Sequence, residues 1–273
     1  CIFLRVVCFF ILIFLSIINI AMSSLDNITE VPDHKLYISY NNIHKLCQQA
    51  AQKLKDDDNI PDIIIAIGGG GFIPARILRS FLKKPKGKNI PIQAIGLSLY
   101  EAMGDDEDDT KIGKEVIRTQ WLDFSTLDKK MFVGKKLLIV DEVDDTRTTL
   151  HYAYNELLKD IELQQEELKS TDPTNLGIFV LHNKNKEKKA QLPEELMNSG
   201  NYLAAVTVDD AWIAYPWDAA DIDLHTRYAT LQGNIWLTLM ITYSMLLHII
   251  TIISFFFLSF FWLIDLSFYG YRI

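Results

Sequence analysis

Seven side chains able to do chemistry lie between positions 141 and 149: Asp141, Glu142, Asp144, Asp145, Thr146, Thr148 and Thr149. The three threonines open a segment in which Leu150, Ala153, Tyr154, Leu157, Leu158 and Ile161 recur at three- and four-residue steps, the apolar face of an amphipathic helix. A helix start offers free N–H groups and the positive end of the helix dipole, which together hold a phosphate, and threonine hydroxyls add donors. Carboxylates alone would repel that phosphate. They fit if they accept hydrogen bonds from sugar hydroxyls, hold Mg²⁺, or take a proton, so a sugar carrying a phosphate satisfies the whole set.

A second stretch has the composition of a ligand loop. Gly68, Gly69, Gly70 and Gly71 follow the β-branched run Asp62 to Ile67. Four glycines in a row are costly in backbone entropy and make sense where the chain passes close to a ligand. No Gly-Lys-Ser/Thr follows, so this is not a P-loop. The dinucleotide fingerprint also fails, because Ile73 and Pro74 stand where its third Gly or Ala would fall.

Positioning these residues requires strands that end where the loops begin. Leu137 to Val140 is too short for a helix and suits a buried parallel strand. Asp62 to Ile67, Pro91 to Leu99, Val116 to Leu122, Gly177 to His182 and Tyr202 to Val208 read as further strands. Helices are predicted over Tyr40 to Asp56, over Pro74 to Lys84, and from the threonines to about Lys169. Asp26 to Lys35 reads as a linker, and Glu101 to Thr110 as an acidic surface loop. Strands alternating with helices predict an α/β fold, a parallel sheet covered on both faces.

The run from Leu137 to Leu150, an apolar strand, an acidic pair, a further acid and a Thr-rich turn, resembles the phosphoribosyl-pyrophosphate (PRPP) signature of the type I purine phosphoribosyltransferases. The similarity covers about Lys35 to Asn234 and is greatest to the hypoxanthine-guanine enzymes of yeast type. Most of the family have glycine where this chain has Arg147, a departure that points to a subfamily. The resemblance implies a parallel-sheet core with flanking helices and a small hood subdomain. It also implies Mg²⁺-dependent transfer of 5-phosphoribosyl from PRPP to N9 of hypoxanthine or guanine, and of xanthine by extension.

On matching positions, Asp141 and Glu142 would bind the ribose hydroxyls, and with Asp218 the metal. Asp145 would be the general base, and Asp145, Thr146, Arg147, Thr148 and Thr149 would hold the 5′-phosphate. Gly68 to Gly71 would form the pyrophosphate loop, where a strained peptide is typical. Lys184, with Lys186 as its competitor, would meet the purine O6, Trp212 would stack on the base, and the Ile213 carbonyl would read its exocyclic group. Ser98 and Tyr100 would begin a lid that shields the reaction from water. Here Leu99 separates the two.

Composition narrows the alternatives. A net charge of −8 over 273 residues argues against a nucleic-acid partner. Cys1, Cys8 and Cys47 form neither a disulfide framework nor a zinc spacing, as expected in a reducing cytoplasm. Two apolar stretches, 1–21 and 235–264, are each long enough to span a bilayer, which takes about 20 residues. They read as membrane spans, the first as a cleaved signal, or both as translated non-coding sequence, around an enzyme domain over 22–234 with 235–273 as an apolar tail. Membrane contact follows only if these ends are genuine, and the family implies a homodimer. Two rival functions are a PRPP-binding regulator without catalysis, against which Trp212 speaks, and a membrane-anchored interaction domain. A phosphatase would need D-x-D-x-T, and Asp141 to Asp144 has the wrong spacing.

Overall fold

Contiguous β-branched and aliphatic runs leave no polar face, so they must be covered on both sides. In the computed structural model, which describes residues 34–83, 87–100 and 115–233 with a few isolated positions in the terminal segments, those runs form the middle of a six-stranded sheet. Its strands are β2 (Ile63–Gly68), β3 (Ile92–Tyr100), β4 (Glu115–Gln120), β5 (Lys136–Asp144), β6 (Asn175–Lys184) and β7 (Tyr202–Val208), in the order β4-β3-β2-β5-β6-β7. All pairings are parallel except β3 with β4, which run antiparallel from Gly96↔Gln120 to Tyr100↔Glu115.

Helix α1 (Tyr40–Asp56) buries Ile43, Cys47, Ala50, Ala51 and Leu54. Helix α2 (Phe72–Phe81) starts two residues before Pro74, the predicted first residue. It packs on α1 and against β2 and β5. Helix α3 (Thr148–Leu168) lays Leu150, Ala153, Leu157 and Ile161 on the sheet face formed by Ile63, Ile65, Ile67, Leu137, Ile139, Ile178 and Val180. Strand side chains alternate, so Ile64, Ala66, Leu138, Val140 and Phe179 point to the opposite face, and they are buried too. Each large aliphatic side chain buried this way contributes roughly 1.5–3 kcal/mol. A short helix, α4 (Glu194–Asn198), precedes β7.

The chain divides into two units, Tyr40–Ala211 and a smaller one made of Cys1–Ser39 with Trp212–Ile273. The sheet belongs to the larger. In the smaller, β1 (Lys35–Tyr37) pairs in parallel with β8 (Trp212–Ala214), in register Lys35↔Trp212. A helix, α5, runs through 222–233. Gln232 clamps β1 at both ends: its Oε1 accepts from the Tyr37 N–H at 2.8 Å and its Nε2 donates to the Lys35 carbonyl at 2.7 Å. Buried His225 donates to the Ile38 carbonyl at 2.9 Å. This unit comes from the sequence flanking the sheet on both sides, the part of the chain from which a hood subdomain would be drawn. Lys35, read as linker, is a strand residue, because its partner lies 177 positions away and leaves no local pattern.

Among the described residues no helix is long and apolar enough to cross a membrane. The apolar stretches 1–21 and 235–264, and the acidic run 101–110, lie outside the described residues but for isolated positions in the two ends.

Candidate functional site

From β2 the chain runs to β3 and β4 on one side; it then returns to β5 on the other side of β2 and continues to β6 and β7. The carboxyl ends of β2 and β5 are therefore a topological switch point, where the two following loops diverge and leave a crevice. A cleft of about 340 Å³ opens there. It is lined by Gly68, Gly69 and Gly70 from the loop after β2, by Asp141, Glu142 and Asp145, and by Thr146 to Thr149. Residues more than 70 positions apart in sequence meet because their strands are neighbours.

Three of the four acids do not follow the strand, as its apolar run implied, but are part of it: β5 continues to Asp144 because β6 keeps pairing with it through Asp141↔Val180, Val143↔His182 and Asp144↔Asn183, and only Asp145 comes after it. Alternation then separates their environments. Asp141 is buried, and its carboxylate accepts from the Glu142 N–H at 2.9 Å. Burial first, and then the adjoining Glu142 charge, hold the Asp141 carboxyl well above the usual aspartate range. A bound cation or a sugar hydroxyl would relieve this.

The glycine loop presses on the same group. A Cβ on Gly70 would collide with the Glu142 carboxylate, and one on Gly71 with the Val140 and Ile67 carbonyls, which cannot swing aside. Gly71 is thus required by the close seating of α2 on β2 and β5, and Gly70 by the acid. Gly69 has open space around its Cα. The Gly68–Gly69 peptide is cis.

The turn after β5 is built differently. Its first helical bond runs from the His151 N–H to the Arg147 carbonyl at 2.9 Å, so the amides of 148–150 have no acceptor further back in the helix. The Thr146 and Thr148 hydroxyls lie 3.0 Å apart. Arg147, the N-cap, has φ 70 and ψ −1. That left-handed conformation costs a residue with a Cβ roughly 1–2 kcal/mol.

What holds it is a buried ion cluster. Arg147 Nε and Nη2 each donate to Asp144 Oδ2 at 2.9 Å, and the Tyr202 hydroxyl donates to the same oxygen at 2.6 Å. Lys188 Nζ lies 3.4 Å from Asp144 Oδ1 and donates to the main-chain carbonyls of Asp144 at 2.7 Å and Asp145 at 2.9 Å. Asp144 is 0 % exposed. Burial, reinforced by the Asp144 charge, pushes the Tyr202 hydroxyl far above its usual range, while burial pulls Lys188 below its own. The Lys189 N–H donates to the Thr146 carbonyl at 3.0 Å.

Asp145, by contrast, faces outward with its side chain 43 % exposed. Its Oδ1 forms ion pairs with Lys184 at 3.5 Å and Lys186 at 3.2 Å, and both lysines also meet Asp210, at 3.6 and 2.9 Å. Hydrogen bonding to Asp210, then to Asp145, raises Lys186, and Lys186 lowers Asp210. Lys184 and Lys186 are thus both within reach of the cleft's outward acid. Ser98 is an exposed residue of β3, and Tyr100 ends that strand. Trp212 (69 % exposed), Ile213 and Asp218 belong to the smaller unit, the last in a 3₁₀ turn, Pro216–Asp218. The structural duties of Asp144, Lys188 and Tyr202, and the presence of Asp210, were not foreseen. The one signal in the sequence was Arg147 itself, a charged residue in a turn that favours glycine.

No cluster of three or more acidic, histidine or cysteine ligands exists among the described residues. Mg²⁺ does not need one, since it is commonly held by one or two carboxylates together with substrate phosphates. Asp141 and Glu142 side by side fit that pattern.

Comparison with known proteins gives the same reading. The phosphoribosyl transferase domain model matches residues 39–197. Xanthine phosphoribosyltransferase 1 of Saccharomyces cerevisiae is 61 % identical over 205 residues, 74 % of this chain and 98 % of that protein. Hypoxanthine-guanine phosphoribosyltransferase of the same yeast is 56 % identical over 209 residues, covering 73 % and 93 %. A crystal structure of a hypothetical protein from Neisseria gonorrhoeae with bound ppGpp is similar at 38 % identity and TM-score 0.57, covering 72 % of this chain and 96 % of that one. With the domain model matched over the cleft and the strands β2 to β6, and curated relatives matched over nearly their whole length, the chain belongs to the phosphoribosyltransferase family, in its purine branch.

Proposed function

We propose that this chain is a purine-salvage enzyme that transfers the 5-phosphoribosyl group of PRPP to N9 of a 6-oxopurine and releases pyrophosphate. The observation that carries this reading is the single cleft that joins the acidic pair, the Thr-rich turn and the glycine loop. The C1′–pyrophosphate bond breaks, the C1′–N9 bond forms, and the proton on N9 passes to Asp145, the acid that faces outward. The amides and hydroxyls of 145–149 hold the 5′-phosphate, and the backbone of Gly68 to Gly71 holds the leaving pyrophosphate. Asp141 and Glu142 hold the ribose hydroxyls and Mg²⁺. The ion supplies charge neutralisation of the departing pyrophosphate.

Lys184 donates to the purine O6, with Lys186 beside it. Ser98 and Tyr100 open the lid. Because one relative is a xanthine enzyme and another a hypoxanthine-guanine enzyme, the acceptors are hypoxanthine, guanine and xanthine. The enzyme domain spans 22–234, works in the cytoplasm and pairs as a homodimer.

The test is to supply purified chain with PRPP, Mg²⁺ and each of hypoxanthine, guanine, xanthine and adenine, and to separate the products by chromatography. Nucleotide from at least one 6-oxopurine and none from adenine supports the reading. No nucleotide from any base refutes it.

A further inference from the structure

Three non-glycine residues among those described have positive φ: Asp58, Arg147 and Lys169. Asp58 and Lys169 follow helix ends, where a left-handed residue commonly closes the last turn. Arg147 stands before a helix, at the point where the chain leaves β5 for α3. Nothing about starting a helix calls for that conformation, and a residue with a Cβ resists it. Its guanidinium is engaged by the Asp144 carboxylate through two donors, and lies 5.4 Å from the centroid of the Tyr202 ring. Tyr202 comes from β7, and Lys188 clamps the two carbonyls that precede the turn. The turn is therefore anchored from three directions, and the anchor is buried.

We propose that Arg147 is a positioning residue for PRPP: its side chain, locked on Asp144, fixes the left-handed backbone that turns the amides of the Thr-rich loop toward the 5′-phosphate. The guanidinium acts on its own protein and is not a ligand of the phosphate. This rests on the reading of that loop as the 5′-phosphate site. It separates sharply from the plainer alternative, in which an arginine beside a phosphate is its counter-ion. If conformation is what matters, glycine, which adopts positive φ freely, replaces arginine better than alanine does. If charge is what matters, glycine and alanine fail alike.

The experiment compares full-length wild type with Arg147→Ala, Arg147→Gly, Arg147→Lys and the double variant Asp144→Asn/Arg147→Gly. The readouts are KM for PRPP, kcat at saturating purine, and the thermal unfolding midpoint. The double variant removes the buried charge together with its partner, so loss of folding in the single variants does not decide the result. Arg147→Ala is expected to raise the PRPP KM about tenfold, the factor corresponding to the left-handed penalty, with a smaller change in kcat. Arg147→Gly or the double variant recovers most of that loss. Arg147→Lys does not, since one ammonium cannot fork onto the carboxylate. Equal losses in the glycine and alanine variants, or an unchanged KM in Arg147→Ala, overturn the proposal while leaving the enzyme reading intact. A wild type that neither binds nor consumes PRPP overturns the enzyme reading, and the proposal with it.

Discussion

The two loops that face each other across the cleft solve one problem by opposite means. Both leave a buried parallel strand, both enter a helix, and both bring main chain close to where a ligand sits. After β2 the means is subtraction: four glycines, two of which leave no room for a Cβ against Glu142 or against the Val140 and Ile67 carbonyls. After β5 it is addition: a large charged residue is forced into a left-handed turn and held there by Asp144, Tyr202 and Lys188. The glycine loop depends on space, whereas the arginine turn depends on the Asp144 anchor for as long as arginine occupies it. Steric substitutions should therefore break the first, and loss of the arginine's anchor the second.

The largest expected effect lies on the outward side of the arginine turn. Asp145→Asn removes the proton acceptor and should lower kcat by roughly 10²–10⁴-fold, with unfolding little changed because the side chain is partly exposed. Steady-state kinetics and calorimetry together check this. One residue earlier the outcome inverts. Asp144→Ala leaves Arg147 and Lys188 as buried cations without their carboxylate, and should cost about 3–5 kcal/mol of stability, read from denaturant midpoints. In the glycine loop, Gly71→Ala forces a Cβ onto two carbonyl oxygens and should cost about 1–3 kcal/mol. Gly70→Ala displaces only the flexible Glu142 carboxylate, so its penalty should appear in the KM for PRPP more than in stability.

The last effect is confined to acid pH and concerns His182, on β6 opposite Val143 and 1 % exposed. Burial lowers it from its usual value to about 4. The folded form therefore binds fewer protons than the unfolded chain between pH 6.5 and about 4. Its contribution is complete above pH 6.5 and is lost as pH falls through that window, by ~3 kcal/mol at most. His182→Asn should flatten the acid limb of a stability–pH curve and leave the limb above pH 7 alone. An unaltered acid limb would remove His182 from the account.

The two loops also differ in how much of them the sequence discloses. Four glycines after Ile63 to Ile67 are visible as letters, and so is the apolar periodicity that makes 148–168 a helix. The strands Ile63–Gly68 and Lys136–Asp144 could be recognised because burial on both faces demands unbroken aliphatic runs. What could not be read was where β5 stops, since Asp141 to Asp144 are strand residues only by virtue of pairing with Val180, His182 and Asn183. The anchor of Arg147 was hidden for the same reason. Tyr202 and Lys188 are 55 and 41 positions downstream of it in the sequence, and no local pattern assigns one lysine of the run 184–189 to Asp144 and two to Asp145. The three-residue strands β1 and β8 escaped because each exists only through the other. Local signals thus reported the elements, while non-local ones decided which charged residues are structural and which face the cleft.

A crystal structure of the chain with PRPP and Mg²⁺ addresses both loops at once. The account predicts the 5′-phosphate within hydrogen-bond distance, roughly 2.7–3.2 Å, of the amides in the turn 146–149, the pyrophosphate against Gly69 and Gly70, and the Arg147 guanidinium still on Asp144. A ligand bound in the reverse sense, with pyrophosphate at the threonine turn, or an arginine swung onto the phosphate, would contradict it.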